Sequence, residues 1–597
     1  MKLPAFVFGT VPLMVSFYAR KYIEEDKAQT LTELENDFGI PRIKKYDFIV
    51  VGGGSAGCIV TGRLSERFNV LLLEAGGKPV PLAHVPIFTR EVAVDPDTNY
   101  LYKSVPQRNM SLVNGGVVGI ETGKMLGGSG SHNDMGHQRG SPHDWNYYAS
   151  VTGDPSWRYE NVLPFFKKSE DFVGFLLQPE QAVEYYGQGG PLTVDTHMPA
   201  FFPIWADAGR ELGYPVADPN ALQIPSFAPF QKLIDKGGRV STYNRYVLPY
   251  EGTRANLTVI RYATVTQILL DKDNTAYGVA FLRHGIPQIA HATNEVVLSA
   301  GAINSPLILM MSGIGPRDQL EAAEIPVKVD RPFVGQNLAD HIHVFFGSFS
   351  FNSSAIPYLP FVPEEDLEAA LTEYLETGLG EFGELQESPQ AFFSSSRAVA
   401  EGEGHWPDGR ISIDVACPIS FSAEESLTKV CFVSELDRPK SRGSVTLNSS
   451  AFLSGSTDFV QLANVDFNGL GIPSDLDVIL DGIELIFKVV EETESFASLG
   501  ARYDGTQIQG CEEYLFRSRE YWACYTQQLV TTAIHMVGTC GMGSEASSVT
   551  DSKLRVRGVT GLRVVDASVL PTTPNANLNG PVILVAEKAA ADIASDW

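Results

Sequence analysis

Positive charge is scarce in this chain. Its 597 residues carry 45 Lys and Arg against 71 Asp and Glu, a formal net charge of −26. Phosphate backbones are held by clustered Lys and Arg, so no nucleic-acid partner is expected. The negative charge reads as a solubility feature. Long apolar runs are also missing. The best candidate, MKLPAFVFGTVPLMVSFYARKY at residues 1–22, has about 15 mostly apolar residues between Lys2 and Arg20, too few for a stable membrane span. That segment reads as a signal peptide or an uncleaved N-terminal anchor. No G-x-S-x-G elbow argues for a hydrolase. Internal repeats and low-complexity tracts are absent. Cysteines number six. Cys417–Cys431 and Cys511–Cys524 are expected as local bridges of an oxidising compartment, and Cys58 and Cys540 as buried thiols. Four sequons, at Asn109, Asn256, Asn352 and Asn448, support a secreted, glycosylated chain.

Apolar residues make up 44 % and charged ones 19 %, the balance of a well-buried globular protein. The length exceeds what one compact core holds, so two or three domains are expected, interleaved along the chain.

The strongest local signal is YDFIVVGGGSAGCIVTGRLSERFNVLLLEAGG at 46–77. A short buried strand runs into Gly52-Gly-Gly54-Ser-Ala-Gly57, then a helix, then a second strand ending at Glu74. This is the βαβ dinucleotide fingerprint in its full context. Gly52 allows the tight turn, Gly54 lets a pyrophosphate approach the backbone, and Gly57 lets helix and strand pack closely. The helix N-terminus offers free N–H groups to phosphate. Glu74 lies where an acid accepts hydrogen bonds from a ribose, which disfavours NADP and leaves NAD and FAD open.

Further segments decide between these two. They are LGGSGSHN at 126–133, GAINSPLILMMSGIG at 301–315, PFVGQNLADH at 332–341 and RVVDASVLP at 563–571. With the fingerprint, these resemble the glucose–methanol–choline (GMC) oxidoreductases from about Tyr46 to Ile593. DPSWRYENVLPFFKKSED looks most like arthropod members. The resemblance implies FAD as cofactor. It implies an α/β plus α+β fold: a Rossmann-like FAD-binding domain and a discontinuous substrate-binding domain built on an antiparallel sheet covered by helices. The FAD-binding domain is expected at 45–200, 250–345 and 500–597, the substrate-binding domain at 200–250 and 345–500. Cofactor-binding positions implied are Gly52, Gly54, Ser55, Gly57, Glu74, Leu126, Gly127, Ser129, His132, Asn133, Val265, Asp566 and Ala567. Read without the resemblance, Asp566 is a helix N-cap, which is compatible with a cofactor contact.

Taking a hydride from an alcohol requires a base of near-neutral pKa, and His is the usual choice. The resemblance places that histidine at His535, in IHMVGTCGMG. A second position, His or Asn in the family, falls on Asn579 when NGPVILVAEKAA is aligned with the family's N-A-P-T-I. Asn orients the alcohol oxygen but is no base. Asn575 and Asn577 lie nearby and read as turn residues. His132 stands where many members carry an aliphatic residue. A Ser-His-Asn run like this one holds flavin covalently in choline-oxidising members, so His132 is expected to be linked to FAD. His341-Ile-His343 could be read as a metal pair, but no third ligand is evident in sequence and no metal is expected.

The function expected is a secreted FAD-dependent alcohol oxidase. It would take a small-molecule alcohol, pass electrons to oxygen and release hydrogen peroxide. A dehydrogenase using a quinone or other acceptor is the second reading, and a hydroxynitrile lyase with non-redox FAD the third. FFGSFSFNSS and QAFFSSS are aromatic-rich stretches of the substrate region that read first as core. If some line the pocket, an apolar or aromatic alcohol or cyanohydrin fits better than a sugar. EEDLEAALTEYLE at 364–376 reads as a helix with a solvated acidic face.

Overall fold

The computed structural model describes residues 5–37, 44–197, 201–352, 367–380, 382–383, 389–414, 427–546 and 548–597. Two large sheets organise the chain. The run Phe48–Val51 is apolar and β-branched, and all four residues are buried inside the strand Lys44–Val51. Buried on both faces, such a strand suits the middle of a parallel sheet. It pairs in parallel with Val70–Leu73 on one side and Ile286–Leu298 on the other. Leu257–Ile260 extends the parallel set at one edge, and Leu562–Val564 joins it alongside the end of Ile286–Leu298. The strands Ala276–Arg283 and Ala263–Leu270 continue the sheet in antiparallel fashion. Residues separated by some 500 positions thus meet in one Rossmann-like layer. The helices Ser55–Leu64 and Asn579–Asp596 are fastened beside it through Glu587. Its buried carboxylate takes Arg63 Nη2 at 2.7 Å, Lys168 Nζ at 3.0 Å and the Tyr246 hydroxyl at 2.7 Å. Neighbouring cations hold this carboxyl below the usual range despite burial.

The second sheet is antiparallel, in the order Arg502–Tyr503, Ile342–Asn352, Leu427–Leu436, Gly409–Asp414, Gln390–Phe393 and Ser226–Ala228. Thr531–Thr532 pairs along the start of Ile342–Asn352. The period of two sorts its side chains. Phe346 packs on Phe487 of the helix Pro473–Glu492 and on Trp522 of the helix Arg519–Leu529, with ring centroids 5.4 and 4.7 Å apart. The alternate residues His343, Phe345, Arg410, Ser412, Val433 and Glu435 face a cavity on the opposite side. Core packing therefore accounts for Phe346, Phe349, Phe351, Phe392 and Phe393, all buried, whereas Phe345 reaches the cavity.

One helix, Ala5–Asp37, continues past residue 22. From Ile23 onward it is packed into the fold: Ile23 and Leu34 are buried, and Asp26 meets Arg261 at 3.2 Å and accepts from the Tyr262 hydroxyl at 3.0 Å. Among the described residues, no helix is long and apolar enough to cross a membrane. The Cys511–Cys524 bridge forms, and Cys58 and Cys540 are buried thiols. The expected Cys417–Cys431 pair involves Cys417, outside the described residues. The helix Leu367–Thr377 has mostly exposed residues, as its acidic face requires.

Candidate active site

One cavity of about 980 Å³ lies between the two sheets and reaches both sets of expected residues. At one end is the glycine turn. Gly52 has φ +97°, and a Cβ there would lie 2.5 Å from the Ser299 carbonyl oxygen. A Cβ on Gly57 would come within 1.9 Å of the Gly52 oxygen, so only glycine lets the helix start this close to the strand. At Gly54 a Cβ would meet nothing within 4 Å, because this position opens on the cavity. The helix Ser55–Leu64 has no side-chain cap, leaving its first N–H groups free for an anion. Glu74 accepts from Gly53 N and Gly76 N, each at 2.8 Å, and still borders the cavity. Burial pushes its carboxyl up to about 7 against those two bonds.

The second glycine turn packs on the first. Gly127 N donates to Gly53 O at 2.7 Å, and a Cβ on Gly128 would lie 2.8 Å from Gly54 Cα. Leu126, Gly127 and Gly57 therefore support the cavity from behind. Gly52, Gly54, Ser55, Glu74, Ser129, His132, Asn133, Val265, Asp566 and Ala567 line it. Asp566 ties two turns together: it accepts from Ser568 N and Gly301 N, each at 2.9 Å, so the expected cap is also a bridge between distant segments. His132 is buried, and neither ring nitrogen has a hydrogen-bond partner. Burial, with the nearby Arg239 charge, pushes it down to about 4, so the imidazole is neutral at ordinary pH. Free N–H groups, an acid at the strand end, an open Gly54 and an orphaned imidazole together fit a dinucleotide such as FAD.

At the other end stands His535. The residue before it, Ile534, adopts φ +61°, an uncommon conformation for a β-branched residue. The turn is held by Asp340, which accepts from His535 N at 2.7 Å and from the Thr532 hydroxyl. His535 Nδ1 lies 3.0 Å from His341 Nδ1. Burial and the neighbouring His341 push His535 well below the ordinary histidine range. On the cavity side, His535 Nε2 is 3.5 Å from Asn577 Nδ2. Asn577 Oδ1 accepts from Arg410 Nη1 at 2.7 Å, which fixes the amide with its NH₂ toward the histidine. Arg410 in turn pairs with Glu435 at 2.6 Å. Phe230, Phe345, Val433, Gln390 and Ser412 complete this end.

The structure thus brings Asn577, not Asn579, beside His535. Asn579 opens the helix Asn579–Asp596, accepts from Ser55 Oγ at 2.7 Å and lines the Gly54 end of the cavity. Asn575 is a turn residue, as read: its Nδ2 donates to the Pro407 carbonyl at 2.6 Å. Nor does His341 act with His343. It turns toward His535 and Glu435, so a third donor exists that sequence spacing did not reveal. Arg410, Glu435 and Asp340 were likewise missed. Only the alternation of strand residues could have pointed to the first two.

The profile of GMC oxidoreductases matches this sequence over residues 46–343 and, in its C-terminal part, 439–586. The chain belongs to this family. It is 31% identical over 572 residues to a glucose dehydrogenase [FAD, quinone] of Drosophila melanogaster, covering 93% of this chain and 87% of the relative. It is 32% identical over 570 residues to the ecdysone oxidase of Bombyx mori, covering 92% and 81%. Among solved structures, pyridoxine 4-oxidase from Mesorbium loti superposes with a TM-score of 0.77 at 26% identity, covering 92% of this chain and 98% of that one. As a GMC oxidoreductase the chain is an FAD-dependent enzyme acting on CH–OH groups of alcohols or sugars. The expected fold class and cofactor hold.

Proposed function

We propose that this GMC oxidoreductase is a secreted oxidase of small apolar or aromatic alcohols, with His535 and Asn577 as its catalytic pair. The observation carrying this reading is the 3.5 Å approach of His535 Nε2 and Asn577 Nδ2 at the far end of the cavity that opens at Gly54. Bound FAD supplies the acceptor for a hydride from the carbinol carbon. His535 accepts the hydroxyl proton at Nε2: burial and His341 hold the ring neutral and so ready to accept, although they weaken it as a base. That role needs the ring proton on Nδ1, where it is donated to His341 Nδ1. Asn577 donates an N–H to the alcohol oxygen, and Arg410 prevents the amide from flipping. Phe230, Phe345 and Val433 favour an apolar body on the substrate, while Gln390 and Ser412 offer it one polar edge.

His132 is the proposed point of covalent attachment, because its buried, neutral imidazole has no other partner. Flavin that leaves the chain on acid denaturation would refute the attachment. The remaining cofactor contacts proposed are those lining the cavity from Gly52 to Ala567. Oxygen is the proposed acceptor. A quinone is the second reading, favoured by the glucose dehydrogenase likeness. Export is supported by the exposed side chains of Asn256 and Asn352, each the asparagine of a sequon, and by the Cys511–Cys524 bridge.

The test is anaerobic bleaching of the purified holoenzyme with aromatic alcohols, cyanohydrins, sugars and choline, followed by air. Bleaching by the aromatic class with rapid recovery in air is expected. Bleaching without recovery makes the acceptor a quinone, and a flavin bleached only by sugars overturns the substrate class.

A further inference from the structure

We infer that His341, Glu435 and His535 form a binding site for one divalent transition-metal ion of the zinc type, set directly behind the proposed base. The three donor atoms come from three separate stretches of chain. His341 Nδ1 and His535 Nδ1 are 3.0 Å apart, and Glu435 Oε1 lies 3.7 and 3.9 Å from them. A point equidistant from all three is about 2.1 Å from each, the length of a Zn–N or Zn–O bond. The donor set, two imidazoles and one carboxylate with water as a fourth ligand, is one zinc accepts readily. Glu435 and His535 border the cavity, which provides the entry path and a water ligand.

Charge around the site is mixed: the Arg410 guanidinium donates to the same Glu435 oxygen at 2.6 Å. Glu435 is shared with Arg410, but Asp437 waits beside that arginine: its carboxylate oxygens accept no hydrogen bond, and one lies 3.8 Å from Arg410 Nε. When Glu435 turns to a metal, the Asp437 carboxyl remains beside Arg410, although burial pushes that acid up to about 8. The proton shared between the two Nδ1 atoms moves to His535 Nε2 as the metal takes its place.

The consequence for turnover rests on the reading of His535 as the base. A ring whose Nδ1 is metal-bound and whose Nε2 carries a proton cannot accept one from an alcohol. The site would therefore silence the enzyme reversibly, and chelation would restore it.

The test uses chelator-treated, flavin-loaded enzyme. Zn²⁺ binding is followed by calorimetry, and Co²⁺ is added in a parallel experiment as a spectroscopic probe. One ion per chain is expected, with visible Co²⁺ bands of a four-coordinate N/O site and loss of activity in step with occupancy. His341→Gln and Glu435→Gln should each weaken binding by at least about tenfold, with flavin content and melting temperature reporting that the fold persists. Binding that depends on both residues while turnover continues would support the metal site and remove His535 as the base. No stoichiometric binding, or binding unchanged in both variants, would overturn the site.

Discussion

The two ends of the cavity are built from different materials. At the Gly54 end the lining is main chain: two glycine turns in contact, free N–H groups at a helix start, and one acid whose oxygens are fixed by backbone amides. At the His535 end it is side chain: Arg410, Glu435, His535 and Asn577 line it, backed by Asp340 and His341, in a relay of charged and polar contacts. A main-chain lining binds a ligand common to every member of a family, because no side chain has to change. A side-chain lining can be retuned residue by residue, and there selectivity resides. The contrast predicts that steric changes damage the first end and charge or proton changes damage the second.

The largest effect is expected at Gly57. Adding one methyl group in Gly57→Ala places a carbon against the Gly52 carbonyl at a distance no Cβ occupies, so the helix must leave the strand. Purified protein should carry almost no flavin. Full flavin occupancy in this variant would show that the turn is plastic and would break the comparison. His535→Ala comes next. It should retain flavin while kcat falls by about 10²–10⁴, the usual contribution of a positioned base. Single-turnover flavin reduction measures it, and a rate within threefold of the parent enzyme would remove His535 from the chemistry.

A sharper division separates two asparagines only two residues apart. Asn577→Ala should lower kcat/KM by roughly ten- to a hundredfold, the loss of one hydrogen bond to a charged or developing-charge oxygen. Asn579→Ala should change it by less than about threefold and act on flavin retention, since its partner is Ser55. The reverse pattern of kinetics would restore Asn579 as the orienting residue.

These two residues also mark how far the sequence can be read. The Gly54 end was legible because its parts are contiguous: strand, glycines, helix and Glu74 lie within 46–77, and the meaning of each glycine follows from backbone sterics. Family resemblance pointed further, to Asp566 and His535, and the structure sets both on the same cavity. Three asparagines at alternate positions, 575, 577 and 579, look alike in one dimension. They differ only in what the fold sets opposite them: Pro407, His535 and Ser55. Arg410 and Glu435 are harder still. They sit on neighbouring strands, paired across the sheet, and nothing local distinguishes them from an exposed ion pair. The helix Ala5–Asp37 illustrates the same limit, because apolar content near the N-terminus did not show that Asp26 would be drawn to Arg261.

The smallest effect concerns His132, which joins the two descriptions by being a side chain at the main-chain end. Its native pKa is about 4, against 6.5 for an ordinary histidine, because burial and Arg239 penalise the cation. Between these values the unfolded chain binds a proton that the native chain refuses. Stability from this residue is therefore complete above about pH 6.5 and is lost as pH falls toward 4, by at most about 1.4 kcal/mol per pH unit. Chemical denaturation of the flavin-free chain at pH 7, 6 and 5 should show that slope, and His132→Leu should flatten it while changing little at pH 7. An unchanged slope in the variant would mean that the imidazole reaches solvent or a partner once the cofactor is gone. His132 would then be one more member of a side-chain network, and the boundary between the two linings would have to be moved.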